Sequence, residues 1–171
     1  QTVLGGFLNA GSDVLAGRVA FEWRKRDGYV ENINPGQRRD LYELDQFGAR
    51  ASLRYTPTAD LTFDLIGTYD RQRNGGTPFI SGRFPGFLGA PGGPANAFTG
   101  RANLSGNPAA AAVLGDDQLG LVRDVYDVNL TAEYQISDNW TFTTVNGYRR
   151  FDSREVFDAD GTAAPFLEFT E

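Results

Sequence analysis

The chain has 171 residues, is 40% hydrophobic and 22% charged, and carries a net charge of −6, enough chain for one domain with a core. It contains no cysteine, histidine or methionine, which excludes disulfide frameworks, Cys/His zinc sites, haem ligation and every His-based triad. The sequence pI of about 4.7 argues against a nucleic-acid partner, because a phosphate backbone is held by clustered cations.

Apolar residues recur at every second position in several segments, the period of a β-strand. A weak first strand is expected over Val3 to Asn9. Next, Leu15, Gly17, Val19, Phe21 and Trp23 alternate with Ala16, Arg18, Ala20, Glu22 and Arg24. The pattern returns with Phe47, Ala49, Ala51, Leu53 and Tyr55 against Gly48, Arg50, Ser52 and Arg54, then with Leu61, Phe63, Leu65, Gly67 and Tyr69, where Ile66 alone breaks the polar set. Asn107, Pro108 and Gly115 bracket a short helix over Pro108 to Leu114 inside a loop. Further strands are expected over Tyr126 to Ile136 and from Trp140 through Phe142 and Thr144, with a last one over Phe166 to Thr170.

Short and long connections alternate. Gly11-Ser12-Asp13, Pro57-Thr58-Ala59-Asp60 and Ser137-Asp138-Asn139 read as tight turns. Between them lie loops around 28–43, about 74–123 and 152–165, the middle one rich in Gly and Pro. Folding about the turns sets Tyr55 by Leu61, Leu53 by Phe63, Arg54 diagonal to Asp64, Ile136 by Trp140, Tyr134 by Phe142, and Asp127 opposite Arg149. Aromatic residues gather at both ends of the apolar face. Tight turns at one end, long loops at the other and two aromatic bands give an all-β, antiparallel up-and-down meander of long strands. It is expected to be an open, partial segment of a transmembrane β-barrel, its long extracellular loop carrying the short helix. The alternative is a soluble β-sandwich, whose strands also alternate.

The run from Leu15 to Asn32, with Asp27-Gly28-Tyr29 before a loop, resembles an early barrel segment of the TonB-dependent receptors of Gram-negative outer membranes. So do Gly48 to Pro57, Asp60 to Leu65 and Trp140 to Arg149, and together these runs cover a little over half the chain. The resemblance implies a barrel of about 22 strands around an N-terminal plug, of which residues 1–171 are expected to be a barrel fragment lacking the plug. It implies localisation in the cell outer membrane, contact with outer-membrane lipid, coupling to the TonB complex through the missing plug, and import of a ferric siderophore or another large nutrient. Passive porin or small outer-membrane barrel remain as alternatives.

Arg18, Arg24, Arg50 and Arg54 project to the expected channel side, where fixed cations attract anionic ligands or form a structural ladder with Glu22 and Asp64. Phe79, Phe84, Phe87 and Phe98 either meet ligand or pack the long loop. Asp158-Ala-Asp160-Gly161 hints at a calcium loop but lacks EF-hand spacing. The glycines fit no phosphate-binding motif, and Asp116-Asp117 adjoins no apolar pocket. The expectation is a protein that is not an enzyme, with no catalytic residue, metal or cofactor.

Overall fold

The structure is a computed structural model describing residues 1–77, Phe79, 101–164 and 168–170. Its elements in chain order are β1 (Thr2–Gly11), β2 (Leu15–Arg26), β3 (Glu31–Asn32), β4 (Leu44–Thr58), β5 (Leu61–Asn74), β6 (Arg101–Ala102), α1 (Pro108–Leu114), β7 (Gly120–Ser137), β8 (Trp140–Asp158) and β9 (Glu168–Thr170). Seven of the strands form one sheet in the order β1-β2-β4-β5-β7-β8-β9. Every neighbouring pair is antiparallel, so the sheet is an up-and-down meander, and it does not close on itself. The second sheet is a two-residue parallel ladder between β3 and β6, too small to make a sandwich with the first. Among the described residues no helix is long and apolar enough to cross a membrane, a statement that has no bearing on strands.

The three tight turns join β1–β2, β4–β5 and β7–β8 at one end of the sheet. The Ser12 amide donates to Leu15 O at 2.7 Å and its hydroxyl accepts from the Leu15 amide at 3.3 Å, closing the first turn with a side chain. Registers at the other two turns differ from the simple folding. Tyr55 pairs with Phe63, Leu53 with Leu65 and Arg54 directly with Asp64, because the ladder shifts between Tyr55 and Thr58. Pro57 has no amide proton to give to the ladder, and the Thr56 amide instead donates to Val14 O at 2.8 Å. A second shift between Gln135 and Ser137 leaves Trp140 opposite Ser137 instead of Ile136. Tyr134 pairs with Phe142 and Asp127 with Arg149, as their spacing requires.

The strands run further toward the long loops than apolar alternation indicates: β7 begins at Gly120 and β8 continues to Asp158. The long connection therefore spans 75–119. Charged pairs take over from hydrophobic ones there. The Arg73 guanidinium donates to Arg123 O at 2.8 Å and pairs with Asp124 at 2.6 Å, so the ladder persists where the apolar signal stops.

The sheet has no apolar core of its own. Leu8 is 73% exposed, Val19 54% and Trp140 74%, with their neighbours on the same face also open. The buried cluster lies at the loop-side end of the sheet, where Val30, Leu41, Ala102, Leu104 and Leu119 meet Val156 of β8 with Tyr42 against them. Two connections thus pack as one platform against the loop-side end of β8. Asn32 fastens it, its side-chain nitrogen donating to Leu104 O and its oxygen accepting from the Leu104 amide. Gln37 accepts from the Leu119 amide at 2.9 Å. Tyr42 takes a φ of 63°, held by its amide bond to Gly76 O, by Arg26 donating to its carbonyl, and by stacking on Tyr29 at 4.5 Å.

Candidate functional site

The registers sort side chains onto two faces, since residues directly opposite in an antiparallel pair project to the same side. Val19, Ala51, Gly67, Val128 and Tyr148 form one lateral row, and Leu53, Leu65 and Leu130 another. This face carries no charge between its aromatic ends. One end has Tyr55 near Phe63, ring centroids 6.2 Å apart, with Tyr134 and Phe142 alongside. At the other, Phe47, Tyr69 and Tyr126 make a row with centroids 6.2 and 4.9 Å apart.

The opposite face is polar. Arg18, Arg24, Arg50 and Arg54 all lie on it, but not as one cluster. Arg18 sits over the Phe7 ring at 4.7 Å, a cation–π contact that no alternation rule anticipates, because Phe7 occupies the polar face of β1. Arg24 pairs with Glu22. Arg54 grips both oxygens of Asp64 at 2.7 and 2.8 Å. Arg50 is exposed opposite Ala20 and Thr68. Two of the four are thus committed to structural ion pairs.

The better-formed recess on this face lies nearer the loops. Thr68, Asp70, Arg123, Val125, Asp127, Arg149 and Phe151 line a cleft of about 350 Å³ between β5, β7 and β8. Asp70 accepts from Arg123 at 2.8 Å and from Gln46 at 3.1 Å. Asp127 accepts from Asn129 and stands opposite Arg149. The Nε of Arg123 is buried without a hydrogen-bond partner. Two guanidinium groups, two carboxylates and a phenyl wall suit a ligand with both donors and acceptors better than a simple anion. Only the Asp127–Arg149 pair is legible from turn spacing; Asp70 and Arg123 lie where apolar alternation ends, and the ladder register alone reveals them.

Phe79 is half exposed, 5.7 Å from the Phe157 ring, which stacks on Phe169 at 5.1 Å, an aromatic group on the loop side. Phe84, Phe87 and Phe98 lie outside the described residues. Tyr29 is exposed beside Arg26, and its phenol is held above the ordinary tyrosine range by lost hydration and by the adjoining Tyr42.

The Asp158-Ala-Asp160-Gly161 stretch is a structural loop. The Asp158 carboxylate is 1% exposed and accepts backbone N–H bonds from Ser105, Asp160 and Gly161 at 3.1, 3.1 and 2.7 Å. Among the described residues no group of three or more acidic side chains is placed to hold a metal ion. No protein-family model, curated protein or solved structure matches this chain.

Proposed function

We propose that the chain is part of the barrel wall of an energised outer-membrane receptor of the TonB-dependent kind, importing a ferric siderophore or another large nutrient. The supporting observation is the segregation of the faces: an uncharged apolar band bounded by aromatic rows on one side, and ionic ladders with a polar cleft on the other. Between Tyr126 and Tyr134 β7 advances about 27 Å at the usual rise per residue, which a strand tilt of about 35–45° reduces to about 19–22 Å, the inner part of the apolar height of about 25 Å in outer-membrane barrels. A lipid environment also accounts for a sheet whose large apolar side chains are open while its loops keep a buried core. Among the described residues the outer edges of β1 and of β8 before Val156 are unpaired and call for further strands, since an open edge in hydrocarbon leaves amides and carbonyls without partners.

In this reading the packed loops form the extracellular mouth, the cleft around Asp70, Arg123, Asp127 and Arg149 lines the passage, and energy arrives through a plug and TonB supplied elsewhere in the receptor. The test is uptake of a labelled ferric siderophore panel and of other large nutrients by cells producing the full-length protein, with and without an active TonB system. Uptake that needs TonB supports the receptor. Passage of small solutes without an energised inner membrane would replace it with a porin.

A further inference from the structure

The ends of the apolar face are unequal in charge. Toward the tight turns, the outermost residues of the face include Leu15, Tyr55, Leu61, Tyr134 and Phe142, and no Lys or Arg occurs there. Just past the loop-side aromatic row, the same face carries Lys25, Arg71, Arg73, Arg150 and Arg154 against Asp45, Asp124 and Asp152, and with Arg154 drawn off to Asp116 the rim keeps an excess of one cation (4 − 3 = 1) in a chain that is acidic overall.

The carboxylates there have a defined use. Asp45 accepts from the Trp23 indole at 2.8 Å and from Arg71 at 3.4 Å. Asp124 accepts from the Tyr69 hydroxyl at 2.8 Å and from Arg73 at 2.6 Å. Each anion ties an aromatic rim to an arginine, fixing both. Arg71 keeps a side chain 39% exposed although it holds Asp45. Arg150 keeps a largely open side chain although it holds Asp152, and Lys25 is exposed. Arg154 turns toward Asp116 in the loops.

We propose that this rim binds phosphate-bearing lipid headgroups through Lys25, Arg71 and Arg150, with acyl chains lying on the apolar band below. The inference rests on the membrane reading above and adds that the leaflet on the loop side is the anionic one. Fixed guanidinium groups at headgroup depth match phosphate in charge and in donor geometry, and the aromatic rims hold the strands at that depth.

Trp23 lies at this rim and Trp140 at the opposite end, so each reports on one interface. The full-length protein, with any tryptophan outside this chain replaced by phenylalanine, would be folded into phosphatidylcholine vesicles containing either brominated phosphatidylcholine or brominated phosphatidic acid at equal fraction. Quenching would be followed for Trp23 in a Trp140→Phe variant and for Trp140 in a Trp23→Phe variant. The expected result is preferential association of phosphatidic acid at Trp23 but not at Trp140, falling roughly fivefold per cation removed at low salt in Lys25→Gln, Arg71→Gln and Arg150→Gln, with quenching by phosphatidylcholine unchanged. Lys25→Gln lies outside the Asp45 and Asp124 ties, so its loss of preference reads the headgroup contact without loosening the sheet. Equal quenching of Trp23 by both lipids, or the same preference at Trp140, overturns the inference and leaves the membrane reading intact. No quenching of either tryptophan by any brominated lipid overturns both.

Discussion

Arg54 and Asp64 stand directly opposite each other on β4 and β5, and the guanidinium holds both carboxylate oxygens in parallel at 2.7 and 2.8 Å. The pair is bidentate yet mostly open, with Arg54 64% exposed, so water screens it. A double-mutant cycle of Arg54→Ala and Asp64→Ala, read by denaturant unfolding in detergent, should give a coupling of about 0.2–1 kcal/mol. A coupling of several kcal/mol would mean that this face is dry.

Leu65 and Thr68 lie on opposite faces of β5. If the apolar band faces lipid, Leu65→Arg should cost about 2–4 kcal/mol near the midplane. Thr68→Arg, entering a polar cleft, should stay within about 0.5 kcal/mol. Equal penalties in unfolding measurements from vesicles would contradict the assignment of the faces.

Gly120 begins β7 with a φ of 126°, and a Cβ there would meet Asn74 O at 2.0 Å. Gly120→Ala should therefore cost at least about 1–3 kcal/mol and loosen the loop platform. Gly67 has open space where its Cβ would go, so Gly67→Ala should be neutral or slightly stabilising. Denaturant midpoints of the two variants check the contrast.

Asp158→Ala removes the acceptor for three backbone amides in a buried site. Each donor left without a partner costs about 1–3 kcal/mol, and amide exchange at Ser105 and Gly161 should accelerate while exchange at the centre of β5 does not. Uniform acceleration across the sheet would show that the platform and the strands open together.

The middle of the sheet was legible because one face alternates without interruption: Val19, Leu53, Leu65 and Val128 mark the period by themselves. Helix α1 begins at a proline behind Asn107, whose side chain accepts from the Ala109 amide at 2.9 Å, and Gly115 follows it with a φ of 73°, so its limits are written in residue types. The strand ends were not legible, since Arg73, Arg123 and Asp124 continue the ladder through charge and carry no apolar period. The register at Pro57 depends on which amides find partners across β2, a tertiary matter. The loop core was hidden for a related reason. Val30, Leu41, Ala102, Leu104 and Val156 are single apolar residues far apart in the chain, and packing, not periodicity, unites them.

If β7 presents lipid and water to alternate residues, as proposed, labels along it distinguish the two sides directly, and the chain's lack of cysteine leaves each introduced thiol in it unique. Single cysteines placed one at a time from Tyr126 to Glu133 would carry a nitroxide label, with the full-length protein in vesicles and any cysteine outside this chain replaced, and collisions with oxygen and with a water-soluble nickel chelate would be compared. Oxygen access is expected at 126, 128, 130 and 132 and chelate access at 127, 129, 131 and 133, with a period of two between them. Equal access of the two probes along the strand would contradict it.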